Sequence, residues 1–135
     1  MITYQIEKTV SVEEFREVLV NSTLGERRPI NNHETLSKML EHGNLIVTAR
    51  DNGKLIGIAR SLTDFNYCTY LSDLAVDENY QKMGIGKELI KQTKLKTPNA
   101  KLILLSVPKV VEYYSNRGMI KWEQCYVLDN VEDLK

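Results

Sequence analysis

The alternation of apolar and polar residues predicts the first strand and helices of the chain. Residues 2–6 alternate with a period of two, as in a half-buried strand. Ser11 and Glu14 have the spacing of a capping box, and apolar residues at helical spacing follow them, which predicts a helix over about 12–20. A polar loop over 21–31 then leads to a second short helix, expected over about 32–42.

Two apolar runs joined by Asp51, Asn52 and Gly53 form the clearest hairpin in the chain. The Asn-Gly pair tolerates the positive φ angles of a tight turn. The predicted strands cover about 44–50 and 54–62, and a further strand covers about 68–76.

Helices and strands alternate in the second half. A helix beginning near Gly84 and ended by Pro98 and Asn99 is followed by an apolar run over 102–107, which suits a buried parallel strand. A helix over about 109–116, with Gly118 as a left-handed cap, and a closing strand over 122–128 complete the pattern. This order predicts a mixed α/β fold in a single domain over residues 1–135.

Composition narrows the class of protein. The chain has 135 residues, 42% hydrophobic and 27% charged, which is typical of a globular domain. Basic and acidic residues balance at 18 each, so neither nucleic acid nor anionic lipid is an expected partner. No run approaches a membrane span and no apolar leader is present, so a cytoplasmic location away from membranes is expected.

The cysteines and histidines predict no metal site. Cys68 and Cys125 lack metal-ligand spacing to His33 and His42. Without a suitably spaced histidine, Cys68 is interpreted as a small buried residue rather than a nucleophile.

Residues 74–87 combine a strand, a glycine-containing turn and the start of a helix. Gly84 and Gly86 remove Cβ atoms that would block a phosphate, and the first N–H groups of a helix have no intrahelical partner. An anion is therefore expected at this turn. A dinucleotide fingerprint would need glycine where Leu89 stands, and the spacing of an NTP-binding loop is absent, so both are disfavoured.

The run Gln81-Lys82-Met83-Gly84-Ile85-Gly86-Lys87 resembles the Q/R-x-x-G-x-G/A signature of the GNAT superfamily of acetyltransferases. Residues 113–119, YYSNRGM, resemble that family's F-Y-x-x-x-G-F segment, and the two occur in the family's order. The resemblance covers about residues 2–128. It implies a GNAT-like acyl-CoA N-acyltransferase fold, with a mostly antiparallel sheet flanked by helices. The strands ending at Val76 and Val107 should be parallel and splayed to admit the cofactor.

Acetyl-CoA is the co-substrate that this resemblance implies. The strand would offer backbone hydrogen bonds to the pantetheine arm, and the turn would cradle the pyrophosphate through its amides and the side chains of Gln81 and Lys87. The implied cofactor-binding residues are Leu74, Ala75, Val76, Gln81, Lys82, Met83, Gly84, Ile85, Gly86 and Lys87.

The resemblance also implies direct transfer of the acetyl group to a primary amine in a ternary complex. Tyr114 matches the family's tyrosine that protonates the departing thiolate, because a phenol and a thiolate have similar basicity. Tyr113 is the alternative acid, and a core aromatic is the alternative for Tyr114. The backbone N–H of Leu74 or Ala75 is the expected oxyanion donor.

The general base stays open. Where many relatives carry a carboxylate, this chain has Ser72 and Tyr70. Asp73 is the direct candidate, although strand alternation points it to the opposite face unless a bulge re-aims it, and a structural role is an equal alternative. A water chain ending at Asp73, Asp64 or Glu26 is the third option.

Acceptor recognition is expected from the loop over 21–31, which carries Glu26, Arg27 and Arg28, and from residues 60–70. Arginines facing the site would favour a carboxylate or phosphate on a small-molecule or peptide amine, whereas a solvated surface is the alternative. A homodimer is compatible with the superfamily. The rival functions are a non-catalytic acyl-CoA-binding sensor or regulatory protein, and an interaction domain whose glycines merely begin a helix.

Overall fold

The computed structural model describes residues 1–135 in two compact units, Met1–Leu105 and Ser106–Lys135, and each is described by itself. Nine strands and α-helices follow in chain order: β1 (Ile2–Ile6), α1 (Val12–Asn21), α2 (His33–His42), β2 (Leu45–Asp51), β3 (Lys54–Thr63), β4 (Cys68–Val76), α3 (Ile85–Lys96), β5 (Lys101–Ile103) and α4 (Val111–Ser115). The single domain over 1–135 stays a prediction. None of the helices has the length and apolar character needed to cross a bilayer.

The first unit contains one five-stranded sheet in the order β1-β2-β3-β4-β5. The first three pairings are antiparallel and the β4–β5 pairing is parallel. The hairpin between β2 and β3 turns at Asn52 and Gly53, both with positive φ, as the Asn-Gly pair predicts. The predicted mixed, mostly antiparallel sheet is confirmed.

Helices cover both faces of this sheet. Consecutive residues of a strand point to opposite faces, and Ile46 and Val47 belong to different buried clusters. Phe15 and Leu36 of α1 and α2 lie in the cluster with Ile46, whereas Leu89 of α3 lies in the cluster with Val47. The sheet is therefore a central layer, with α1 and α2 on one face and α3 on the other.

The parallel pairing between β4 and β5 is short. It joins Cys68–Tyr70 to Lys101–Ile103 and stops there, while β4 continues to Val76. The predicted parallel neighbour of β4 is confirmed, but it ends at Ile103 and not at 107. Six further residues of β4 consequently have no strand on that side.

The second unit departs most from the sequence pattern. The predicted helix over 109–116 is a 3-10 turn, Pro108–Val110, followed by the short helix α4. The predicted closing strand over 122–128 is wrong, because this segment has irregular backbone and its large apolar residues Trp122 and Tyr126 are exposed. An alternating pattern forms a strand only beside a partner strand, and residues 106–135 contain none.

Cys68 is also misassigned by the sequence pattern. It is exposed rather than buried. The reason is its place at the first residue of β4, directly after the exposed turn formed by residues 64–67.

A charged cluster joins the β1 edge of the sheet to α1. Arg50 donates to Glu7 and to Glu14 at 2.7 Å each, and Thr48 also donates to Glu7. Burial alone would raise the pKa of Glu7, but the hydrogen bonds from Arg50, Thr48 and Gln5 lower it to about 2. Glu7 therefore stabilises the fold in its ionised form.

The lowered pKa of Glu7 predicts a pH-dependent contribution to stability. Its folded pKa of about 2 lies below the ordinary 4.5, so the stabilisation is present above about pH 4.5 and is lost as the pH falls towards 2. We expect Glu7→Gln to lower the free energy of unfolding at neutral pH by about 1–3 kcal/mol. The melting temperature of the variant should also fall less steeply than that of the wild type as the pH is lowered from about 4.5 towards 2. Thermal melts followed by circular dichroism across this pH range measure both effects.

Glu17→Gln is the matched control, because Glu17 lies 4.0 Å from Lys54 in an exposed pair. Such a pair contributes about 0–1 kcal/mol. If the melting temperatures of the wild type and Glu7→Gln fell equally with decreasing pH, the lowered pKa of Glu7 would be contradicted.

Candidate active site

The turn after β4 has the backbone geometry of an anion site. Gly84 has a φ of +80° and is the N-cap of the 12-residue helix α3, and Lys82 also has a positive φ of +66°. Left-handed residues placed before a right-handed helix turn successive N–H groups towards one side. The first amides of α3 have no intrahelical partner, so the turn can bind an anion such as a diphosphate.

The start of α3 is held close to the sheet by buried side chains. Ile85 is only 3% exposed and packs with Leu89, so only its backbone amide is available to a ligand. A Cβ at Gly57 of β3 would lie 3.2 Å from Leu89 and 3.3 Å from Ile85. Glycine at 57 therefore permits the close approach that fixes the helix N-terminus.

Side-chain hydrogen bonds fix the entry to the turn. Tyr80 donates its phenolic proton to Asp51 in the β2–β3 hairpin, with 2.6 Å between the oxygens. Gln81 donates to the carbonyl of Val76 at 3.1 Å. Since Gln81 is engaged in this way, the predicted phosphate contact of its side chain would compete with an existing bond.

The other predicted side chains of the turn point to solvent. Lys82, Met83 and Lys87 are exposed, and Gly86 is half-buried. A Cβ at Gly84 would meet no atom within 4 Å, so the turn has room for a ligand at this position. Their predicted contacts with the cofactor stay predictions.

One edge of β4 is open beside the turn. The N–H of Asp77 donates to Ile56 of β3 at 2.8 Å, so the backbone groups of Ala75, two residues earlier, also face β3. By the same alternation, the N–H groups of Leu74 and Val76 face away from β3, on the side where β5 has ended. Of the two expected oxyanion donors, Leu74 has the suitably oriented amide.

A β-bulge lies in the middle of β4. Arg60 of β3 pairs with Asp73 and Ser61 pairs with Leu71, which leaves Ser72 as the extra residue. Leu71 packs in the cluster with α3, whereas Ala75, four residues later, packs in the cluster with α1 and α2. The bulge therefore reverses the alternation and brings Ser72 and Asp73 to the same side, where both contact Arg60.

Asp73 is completely buried between two arginines. One carboxylate oxygen accepts from Nε of Arg28 and the other from Nε of Arg60. Arg60 donates further to the Met39 carbonyl and to the Ser72 hydroxyl, both at 3.0 Å. Because a base must have a free oxygen for the proton of its substrate, this geometry favours the structural role of Asp73 over the predicted role of direct base.

The remaining candidate bases occupy different surroundings. Asp64 accepts the backbone N–H groups of Tyr67, Asn66 and Cys68, which hold its pKa below the ordinary value and close the turn before β4. Glu26 is exposed in a 3-10 helix, Leu24–Arg27. Glu26 is thus the acidic group of the three that has no structural hydrogen bond.

Tyr113 and Tyr114 lie on α4 in the second unit. Their rings meet edge to face with centroids 5.1 Å apart, and Arg117 lies 4.4 Å above the ring of Tyr113. Burial raises the pKa of Tyr114, and Tyr113 raises it further. Tyr114 is therefore kept in the protonated form that a general acid requires. The left-handed cap predicted at Gly118 is confirmed by its φ of +86°.

Comparison with known proteins decides the family. The sequence profile described as "Acetyltransferase (GNAT) family" matches residues 12–119, most of the chain. The chain belongs to the GNAT acetyltransferase family.

Solved structures agree with this fold. A GNAT-family acetyltransferase from Streptococcus pneumoniae TIGR4 superposes with a TM-score of 0.79 at 24% identity, over 97% of this chain and 98% of that chain. An aminoglycoside acetyltransferase from an uncultured soil metagenomic sample, solved with sisomicin, gives 0.71 at 21% identity, over 96% and 95%. At these identities the likeness establishes the fold.

Curated relatives share part of the GNAT chain. Histone acetyltransferase TAP1 of Glycine max is 37% identical over 68 residues, which is 48% of this chain and 29% of that protein. An uncharacterized N-acetyltransferase, ycf52 of Pyropia yezoensis, is 31% identical over 81 residues, 58% of this chain and 47% of that protein. The chain thus spans less than half the length of each of these two relatives.

The pairing of Arg60 with Asp73 is the feature of this GNAT site that sequence reasoning missed. Arg60 follows the apolar run Leu55–Ala59 in the same strand, which indicates that its side chain is buried, and a buried guanidinium needs a paired carboxylate. This need for a carboxylate partner is the signal in the sequence that could have indicated the pair. No group of three or more His, Cys, Asp or Glu residues is arranged to hold a metal ion.

Gly84→Asp tests the anion site. We expect it to raise the dissociation constant for acetyl-CoA on the order of 100-fold or more, equivalent to about 2.7 kcal/mol, because a carboxylate would enter the turn where the pyrophosphate is expected. A Cβ at Gly84 meets no atom within 4 Å, so the fold has room for the new side chain. Calorimetric titration of each variant with acetyl-CoA measures the change.

Gly53→Asp supplies the control, since Gly53 has a φ of +90° and equally open space in the β2–β3 hairpin. Both variants carry a similar backbone penalty of about 1–2 kcal/mol. Wild-type affinity in Gly84→Asp, or equal losses of affinity in the two variants, would show that the turn at Gly84 does not bind acetyl-CoA.

Proposed function

We propose that this protein transfers the acetyl group of acetyl-CoA to a primary amine of a small molecule, peptide or protein. The observation that carries the proposal is the open edge of β4 leading directly into the Gly84 turn. An extended ligand with a diphosphate at one end matches this combination of a free strand edge and a helix N-terminus.

Binding would use the backbone of both elements. The amides at the start of α3 would hold the pyrophosphate, and the outward amide of Val76 would bond the pantetheine arm, which leaves the outward amide of Leu74 for the thioester. Backbone donors of this kind are preorganised, because the sheet and the helix already fix them. The thioester would then lie beside the bulge at Ser72.

Acetyl transfer follows from attack of a neutral amine on the thioester carbonyl. The amide of Leu74 would stabilise the developing oxyanion, a contribution of about 100- to 1000-fold in similar sites. The nitrogen–carbon bond forms, the carbon–sulfur bond breaks, and Tyr114 would give its proton to the departing thiolate. The proton of the amine would pass to water, with Glu26 as the terminal carboxylate available in the loop over residues 21–31, the acceptor loop.

A non-catalytic acyl-CoA-binding protein is the second candidate. It is favoured by one observation, that both carboxylate oxygens of Asp73 already accept from arginines. Ser72 and Tyr70 stand at the positions where many relatives carry a carboxylate, so the strand supplies no other base. A sensor needs the cofactor site and has no need of a base.

Thiol release separates the two functions. The protein is incubated with acetyl-CoA and a panel of amines that includes aminoglycosides, amino acids and lysine peptides, and free coenzyme A is measured. Amine-dependent release supports the transferase. Tight binding of acetyl-CoA with no release above the buffer rate for any amine would favour the sensor, and absence of binding would refute both.

Tyr114→Phe tests the general acid. Removing the phenol should lower kcat by about 100-fold or more with an unchanged dissociation constant for acetyl-CoA, because the proton is needed only as the thiolate leaves. Thiol release at saturating substrates measures kcat. Tyr113→Phe is the comparison variant, and a loss in Tyr113→Phe but not in Tyr114→Phe would assign the acid to Tyr113.

A further inference from the structure

The buried charges at the bulge do not cancel. The bulge cluster consists of Arg28, Arg60 and Asp73, two positive charges and one negative. In the adjoining 3-10 helix, exposed Glu26 and exposed Arg27 offset each other. The acceptor loop and the bulge together therefore present one excess positive charge, and a buried excess charge favours an anionic partner.

The two arginines of the bulge cluster differ in their exposure to solvent. Arg60 has only 7% of its side chain exposed, and each of its three nitrogens already donates to a protein oxygen. Arg28 is 23% exposed and donates to Asp73, to the Ser72 carbonyl and to the Arg27 carbonyl. A guanidinium has five N–H donors, so each arginine retains two after these three bonds, and a ligand from solvent can reach those of the more exposed Arg28.

Arg28 lies beside the expected position of the thioester. Its Nη2 is 2.9 Å from the carbonyl oxygen of Ser72, which stands two residues before Leu74. Two residues of a strand span about 6.6 Å. An acceptor nitrogen at the thioester would therefore lie within a few bonds of an anionic group held by Arg28.

The position of Arg28 is fixed before any acceptor arrives. Its Nε donates to the buried carboxylate of Asp73. Arg16 donates to the Ile30 carbonyl at 2.8 Å, which anchors the loop over residues 21–31 near its end. A guanidinium whose orientation is already set binds a carboxylate with little further loss of entropy.

We propose, on the basis of the proposed function, that Arg28 binds a carboxylate carried by the acceptor and that Asp73 is the positioning residue that holds its guanidinium. The acceptor class is then an amine with a carboxylate a few bonds from the nitrogen, such as a free amino acid. Polyamines and basic peptides are disfavoured, because they would bring further positive charge to the bulge cluster.

Product analogues test this inference without requiring turnover. N-acetylglycine and its neutral counterpart N-acetylglycinamide are titrated into the 15N-labelled protein with and without coenzyme A, and the backbone amides of Arg28 and Ser72 are followed by NMR. We expect saturable shifts with N-acetylglycine at an affinity at least tenfold higher than with the amide. Equal affinities, or no saturable shift with the carboxylate, would overturn the proposal.

Three variants locate the effect. Arg28→Gln should abolish the preference for the carboxylate. Arg28→Lys, which keeps the charge but lacks the planar, paired N–H donors of a guanidinium, should lose most of the preference. Arg27→Gln removes the same charge from the neighbouring exposed residue and should retain the preference. A preference that survives in both Arg28 variants refutes the role of Arg28.

The coenzyme titration in the same samples reports separately on the proposed function. If coenzyme A fails to bind while N-acetylglycine binds at Arg28, the transferase proposal fails and the carboxylate site stands. If coenzyme A binds and N-acetylglycine does not, only the carboxylate site is refuted.

Discussion

The bulge at Ser72 is the constraint on which the site depends. One extra residue reverses the alternation of β4, so Asp73 enters the face covered by α1 and α2 and meets Arg28 and Arg60. A buried carboxylate is costly unless it is paired and hydrogen-bonded, so the arrangement requires both guanidiniums. The same pairing ties the loop between α1 and α2 to the strand that leads into the Gly84 turn.

The open edge of β4 is a second feature on which the proposed site depends, and it arises because β5 ends at Ile103. A strand edge with free N–H groups is a liability in most sheets, because it can pair with another chain. Here the edge begins where β5 ends at Ile103, and Gln81 already covers the carbonyl of Val76. The amide of Leu74 therefore remains available to an extended ligand, which is the basis of the proposed cofactor site.

Local signals allowed much of the fold to be predicted. The capping box of Ser11 and Glu14 is present in full, and the bounds of β4 agree with the apolar pattern over 68–76. The pairing of Arg60 with Asp73 depends on a register that no local pattern contains. The false closing strand over 122–128 arose in the same way, because alternation around Trp122 gives propensity without a partner strand.

The most direct measurement is a backbone-amide NMR titration of the wild-type protein with acetyl-CoA. Saturable shifts concentrated at Gly84–Lys87, Val76 and Leu74 are the predicted result, because these amides would bond the pyrophosphate, the pantetheine arm and the thioester, respectively. Binding that leaves these amides unshifted, or the absence of binding, would contradict the account, and the Gly84 turn would then only begin a helix.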